Sequence, residues 1–186
     1  YYEQQTLLQN QILRRYREWG MEPVLMGYSG VIPVDADQKL GLKIIKSTGV
    51  NGEPVAVIHP EEQRFSEIAE IYYNELSKLY DVANYYAIDP YWYTALPAES
   101  DPFKTGENIY AALQKLNPNA VWVQQAWGES PLQLMADAIP VSRMMILDAW
   151  SDVNPQWGDK KSQGHRENGF EHHDWLFCMM NDFNGN

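Results

Sequence analysis

The sequence predicts an α/β fold built on a parallel sheet, and three observations predict it. Short apolar runs bounded by turn residues recur along the chain, segments of helical spacing separate most of them, and polar and aromatic residues gather just after the runs. Such alternation favours parallel pairing through right-handed crossovers. A chain of 186 residues with a 45% hydrophobic fraction has enough material for one sizeable core.

Taken in order, Leu7, Leu8, Ile12, Leu13, Tyr16 and Trp19 fall on one face of a helix over residues 5–19, and Gly20 suits its stop. Residues 23–28 are a short apolar run with the character of a buried strand. Residues 32–59 read as a long βα insertion. A helix is expected over 60–80, with Pro60, Glu61 and Glu62 suiting its first turn and Phe65, Ile68, Ile71, Tyr72, Leu76 and Leu79 forming its stripe. Strand 85–88, helix 102–116, strand 120–125, short helix 131–138 and strand 144–147 follow. The last strand is expected over 175–180, after a polar, Gly-rich loop at 154–173.

Five strands do not make an eight-stranded barrel, and the last runs into Asn181–Asn186 with no covering helix after it. A parallel strand buried on both faces needs that cover. Either the sheet is small and open, or further strands belong to a longer parent polypeptide; the missing cover favours the second, as does an opening at residues 1–6 that reads as the interior of a longer protein. Residues 1–186 are then part of a single (β/α) barrel.

The formal net charge of -11 argues against nucleic acid, whose phosphates need a basic surface, and against an anionic membrane. No segment has the ~18 apolar residues of a membrane span. The single Cys178 excludes an intrachain disulfide and reads as a buried thiol. His172 and His173 are adjacent, at a spacing that suits no metal motif, and His59 and His165 read as surface loop residues. GxGxxG, GxxxxGK[ST] and GxSxG are all absent, so the residues point to no cofactor, nucleotide or serine nucleophile.

Function in parallel α/β proteins collects at the C-terminal ends of strands. Those ends carry Tyr28 and Ser29; Asp89, Tyr91, Trp92 and Tyr93; Gln124, Gln125, Trp127 and Glu129; Asp148, Trp150 and Asp152; and Asn181, Asp182, Asn184 and Asn186. Flat aromatics stack on the C–H faces of a sugar, and carboxylates and amides pair with its hydroxyls. Carboxyl groups can also protonate a leaving oxygen or attack an anomeric carbon. Each residue also has a structural reading. Asp89 before Pro90 suits a turn, Glu129 suits a helix start, and Trp127 and Trp157 suit packing.

The stretches WGMEPVLMGYSGVIP (19–33), YYAIDPY (85–91), AVWVQQAW (120–127), RMMILDAWSD (143–152) and WLFCMMNDFNGN (175–186) together resemble the barrel domain of family 89 glycoside hydrolases, the α-N-acetylglucosaminidases. The resemblance implies a partial (β/α)8 TIM-type barrel. It also implies a retaining, two-carboxylate hydrolysis of terminal α-linked N-acetylglucosamine, outside the cytoplasm. The partners so implied are the glycan and the rest of the parent chain. The family's nucleophile is expected beyond Asn186. Its acid/base Glu falls, in the register Asp89–Pro90–Tyr91–Trp92, on Tyr93, whose reference pKa of ~10 makes it a poor donor at neutral pH. Glu99 is a displaced substitute, and a catalytically weakened or purely carbohydrate-binding paralogue is the alternative. The substrate-binding positions so implied are Asp89, Tyr91, Tyr93, Trp127, Asp148, Asn181 and Asn184.

Overall fold

A computed structural model describes residues 1–49, 51–91, 96–126, 132–148, 151 and 173–177. In chain order these form α1 (Tyr2–Glu18), β1 (Val24–Met26), β2 (Val31–Ile32), α2 (Ala36–Leu40), β3 (Ile44–Thr48), β4 (Pro54–Ile58) and α3 (Phe65–Leu79). They continue as β5 (Tyr85–Ala87), α4 (Pro102–Leu116), β6 (Val121–Ala126), α5 (Gln133–Ala136), β7 (Met144–Asp148) and β8 (Asp174–Phe177).

The five expected apolar runs become one sheet in the order β1-β5-β6-β7-β8, and every neighbouring pair is parallel. Side chains alternate between its two faces. One row holds Leu25, Tyr86, Trp122 and Met144 side by side, with Ile88 and Ile146 further along, and all are buried. They pack against Phe65, Ala69 and Tyr73 of α3, Ile109 and Leu113 of α4, and Met135 of α5. At about 1.5–3 kcal/mol for each large apolar side chain taken out of water, this layer dominates the stability.

The opposite row carries Val24, Met26, Tyr85, Ala87, Val121, Val123, Met145, Leu147 and Leu176, none of them part of that core cluster. Met26 is 67% exposed and Leu176 50%. Helices on one face and an apolar row on the other are what one sector of a (β/α) barrel presents, because in the closed barrel that second row fills the interior.

Local chemistry accounts for the helix limits. Asp101 caps α4 by accepting from the backbone N–H of Phe103 (3.0 Å) and Lys104 (3.2 Å), with Pro102 in the first turn. Gly106 lets α5 approach, since a Cβ there would lie 2.6 Å from the Met135 carbonyl oxygen. Helix α3 starts at Phe65 rather than at residue 60. Glu62 explains the delay: its carboxylate accepts from the backbone N–H of Lys43 (2.7 Å) and Arg64 (3.0 Å), tying residues 60–64 into turns. Helix α1 forms as expected, but of its apolar stripe only Leu13 is buried, while Leu7, Leu8, Tyr16 and Trp19 are exposed.

The 32–59 insertion is not an irregular loop. It holds a second, antiparallel sheet in the order β2-β4-β3. Asn51-Gly52 lies in the connection between β3 and β4, with Gly52 at φ 83°, a turn signal between two apolar runs. His59, expected on the surface, is only 6% exposed, and its Nδ1 accepts from the Glu61 backbone N–H at 3.2 Å.

Candidate functional site

The C-terminal ends of β1 and β6 flank the segment that follows β5. Gly27 and Tyr28 leave β1. The Gly27 N–H donates to the Ala87 carbonyl at 2.8 Å, and a Cβ at Gly27 would fall 2.3 Å from Ile88 Cγ1. Glycine therefore lets β1 press against Ile88. From the other side, the Ile88 N–H donates to the Val123 carbonyl (3.1 Å) and the Ile88 carbonyl accepts from Trp122 Nε1 (2.7 Å). The residue before Asp89 is thus fixed on both flanks.

Asp89 is held in turn. Its Oδ1 accepts from Gln124 Nε2 at 2.7 Å and from the Gln125 backbone N–H at 3.2 Å. Gln124 is fully buried and also donates to the Gln125 carbonyl at 3.1 Å. Burial pushes the Asp89 carboxyl up to about 6, against the downward pull of the two hydrogen bonds. A carboxyl so placed changes protonation near neutrality.

Tyr91 follows with a φ of 59°, the only positive value at a non-glycine among the described residues. A bulky residue there carries backbone strain of about 1–3 kcal/mol, which persists only when its surroundings over-determine it. Its ring packs on the core, and its Oη donates to the Ile58 carbonyl at 3.4 Å, a long bond to the end of β4. Beside it, Tyr28 lies within 5.6 Å of Phe65 and 5.2 Å of Tyr72, centroid to centroid. Its backbone N–H donates to Tyr73 Oη at 3.0 Å. Burial pushes the phenols of Tyr28 and Tyr91 up, so both stay protonated. At the helix starts on the same rim, a groove of about 610 Å³ is lined by Glu61, Glu62, Phe65, Glu99, Asp101 and Lys104, among others.

The structure therefore brings Asp89 and Tyr91 together on a rigid strand end. Asp148 ends β7 with no exposed surface, on the row that faces the helices. Glu99 is exposed, on the groove rim. Tyr93, Trp127, Asn181 and Asn184 lie outside the described residues, as do Glu129, Trp150, Trp157, Cys178, His165 and His172. Gln124, which the sequence places among the strand-end amides, is fully buried and turned to Asp89 rather than open to a sugar. Among the described residues there is no group of three or more His, Cys, Asp or Glu placed to hold a metal ion, and no helix long and apolar enough to cross a membrane.

Comparison with known proteins adds a family. The family model described as the α-N-acetylglucosaminidase (NAGLU) TIM-barrel domain matches residues 1–186. Human α-N-acetylglucosaminidase is 23% identical over 199 residues, which cover 98% of this chain and 26% of the human protein. A family 89 glycoside hydrolase from Clostridium perfringens, solved with 2-acetamido-1,2-dideoxynojirmycin, superposes with a TM-score of 0.76 at 27% identity, covering 83% of this chain and 19% of that one. A form of the Clostridium perfringens protein with two Glu→Gln substitutions, solved with its substrate GlcNAc-α-1,4-galactose, gives 0.77 at 26% identity, over 84% and 19% of the two chains. The chain thus spans about a quarter of the length of the human relative.

Proposed function

The chain belongs to the α-N-acetylglucosaminidase (NAGLU) TIM-barrel domain family, and from that premise we propose that it is a sector of a glycoside hydrolase barrel that removes terminal α-linked N-acetylglucosamine from glycans. The family match over residues 1–186 carries the reading. The second apolar row of the parallel sheet, exposed at Val24, Met26 and Leu176, supports the sector, because further strands of a parent polypeptide would fill the barrel interior against it. A working place outside the cytoplasm comes with the family and is part of the same proposal.

The reaction proposed is retaining. A Glu downstream of Asn186 attacks the anomeric carbon, an acid protonates the leaving oxygen, and water then releases the glycosyl-enzyme. Asp89, Tyr91, Tyr93, Trp127, Asn181 and Asn184 form the sugar-facing rim, by hydroxyl pairing and ring stacking. Asp148, the remaining expected binding position, ends β7 fully buried beneath that rim. No cofactor enters the scheme.

Tyr93 at the register of the family's acid favours one second reading, a carbohydrate-binding paralogue without turnover. Aryl α-N-acetylglucosaminide hydrolysis by the parent polypeptide decides between them. Turnover above background supports the hydrolase. Retained N-acetylglucosamine binding without turnover supports the binding paralogue, and recovery of hydrolysis in Tyr93→Glu would then locate the lost acid.

A further inference from the structure

With Tyr93 at the register of the acid, the carboxyls that the sequence offers for the site among the described residues are Asp89, Glu99 and Asp148. Asp148 has no exposed surface from which to give a proton. Glu99 is exposed, outside any helix or strand, and nothing fixes its direction. Asp89 differs from both: it is partly buried, stands at the end of a central strand, and is oriented through Oδ1 by two N–H donors. That leaves Oδ2 to carry a proton.

We propose that Asp89 is the acid/base of this barrel, giving the Oδ2 proton to the glycosidic oxygen in place of the glutamate the family carries four residues on. The inference rests on the hydrolase reading above. In the first step the parent's Glu gives an electron pair to C1 as the C1–O bond breaks, and the leaving alcohol departs with the Asp89 proton. In the second, Asp89 carboxylate takes a proton from water as that water's oxygen attacks C1 and the Glu leaves. Protons balance, and the net reaction is hydrolysis.

The surroundings fit the task. Catalytic groups act best when their orientation is fixed beforehand by packing and hydrogen bonds. Asp89 has this directly from Gln124 and Gln125 on β6 and, through Ile88, from Trp122 on β6 and from Gly27 just after β1. Among the described residues, the titratable groups on the neighbouring strand ends are Tyr28 after β1, Tyr91 on its own segment, His59, Glu61 and Glu62 after β4, and Asp148 on β7; β6 contributes the amides Gln124 and Gln125. The cause of the raised carboxyl is burial rather than a neighbouring charge, so the donor form is held by the fold itself. The protonated acid is then lost as pH rises through about 6.

The test uses the parent polypeptide with two substrates, 2,4-dinitrophenyl and phenyl α-N-acetylglucosaminide, which differ in how much their leaving group needs protonation. Wild type should show a fall of kcat/KM above about pH 6 on the phenyl substrate. Asp89→Asn, which keeps an acceptor for Gln124 and Gln125, should lose about 10²–10⁴-fold on that substrate and retain the dinitrophenyl one far better, with the alkaline limb gone. Gln124→Met, which removes an N–H donor that favours the carboxylate, should move the limb to higher pH without abolishing it. Equal loss on both substrates in Asp89→Asn, or an unmoved limb in both variants, overturns the assignment while leaving the hydrolase reading intact. A wild-type parent that hydrolyses neither substrate overturns both.

Discussion

Gly27→Ala tests whether the close approach of β1 to β5 is what holds the site. The backbone at Gly27 is not left-handed, since the glycines with positive φ are Gly20, Gly30, Gly41 and Gly52, so any penalty is steric. The new Cβ would meet Ile88 Cγ1 at 2.3 Å, Ile88 Cδ1 at 2.8 Å and Tyr73 Oη at 3.3 Å. Ile88 cannot easily yield: it is fully buried, its N–H is bonded to Val123 and its carbonyl to Trp122. Overpacking of this kind costs about 1–3 kcal/mol, against a gain of about 0.4–1 kcal/mol from a stiffer unfolded chain. Overpacking wins, and a net loss of about 1–2 kcal/mol is expected. Denaturant unfolding of the parent should show it as a lower midpoint at unchanged slope. Because Ile88 carries Asp89, kcat should fall more than KM rises. Combining the change with Ile88→Ala removes the clash, so the pair should be more stable than the two single losses predict, with a coupling of about 0.5–3 kcal/mol. A Gly27→Ala protein as stable as wild type, or strictly additive losses, would refute the packing argument.

Three further outcomes are expected. Trp122→Phe leaves the buried Ile88 carbonyl without the Nε1 donor and should cost about 1–3 kcal/mol in the same unfolding measurement. Asp101→Ala removes the α4 cap and should cost about 1 kcal/mol, with Asp101→Asn losing much less. Asp89 has a folded pKa of about 6, above the unfolded value of ~3.9. The native state therefore keeps a proton that the unfolded chain has lost, and the Asp89 contribution to stability falls as pH rises from ~4 to ~6. Asp89→Asn should consequently be more stable than wild type above pH ~7, by on the order of 2 kcal/mol, with the gap closing towards pH ~4. Paired melts across that range check it, and a constant gap would remove Asp89 from the account.

The alternation of apolar runs and helical stripes was enough to place the five parallel strands and the long helices, because periodicity is a property of each segment alone. Helix α4 came out at residues 102–116 as read, since its cap, its proline and its terminal Asn117-Pro118 are all local. What each face would touch was not local. Most of the stripe on α1 stayed exposed, residues 32–59 folded as a second sheet against Gly30 and the start of α3, and His59 was drawn inside. The position of Asp89 at a strand end was legible in the sequence. Its raised pKa was not, because burial and the bonds from Gln124 and Gln125 come from residues 35 and 36 places away. Sequence alone determined which residues stand at the strand ends. Tertiary structure decided which are buried, which are held and which can exchange a proton, because desolvation and hydrogen bonding depend on neighbours that only folding brings together.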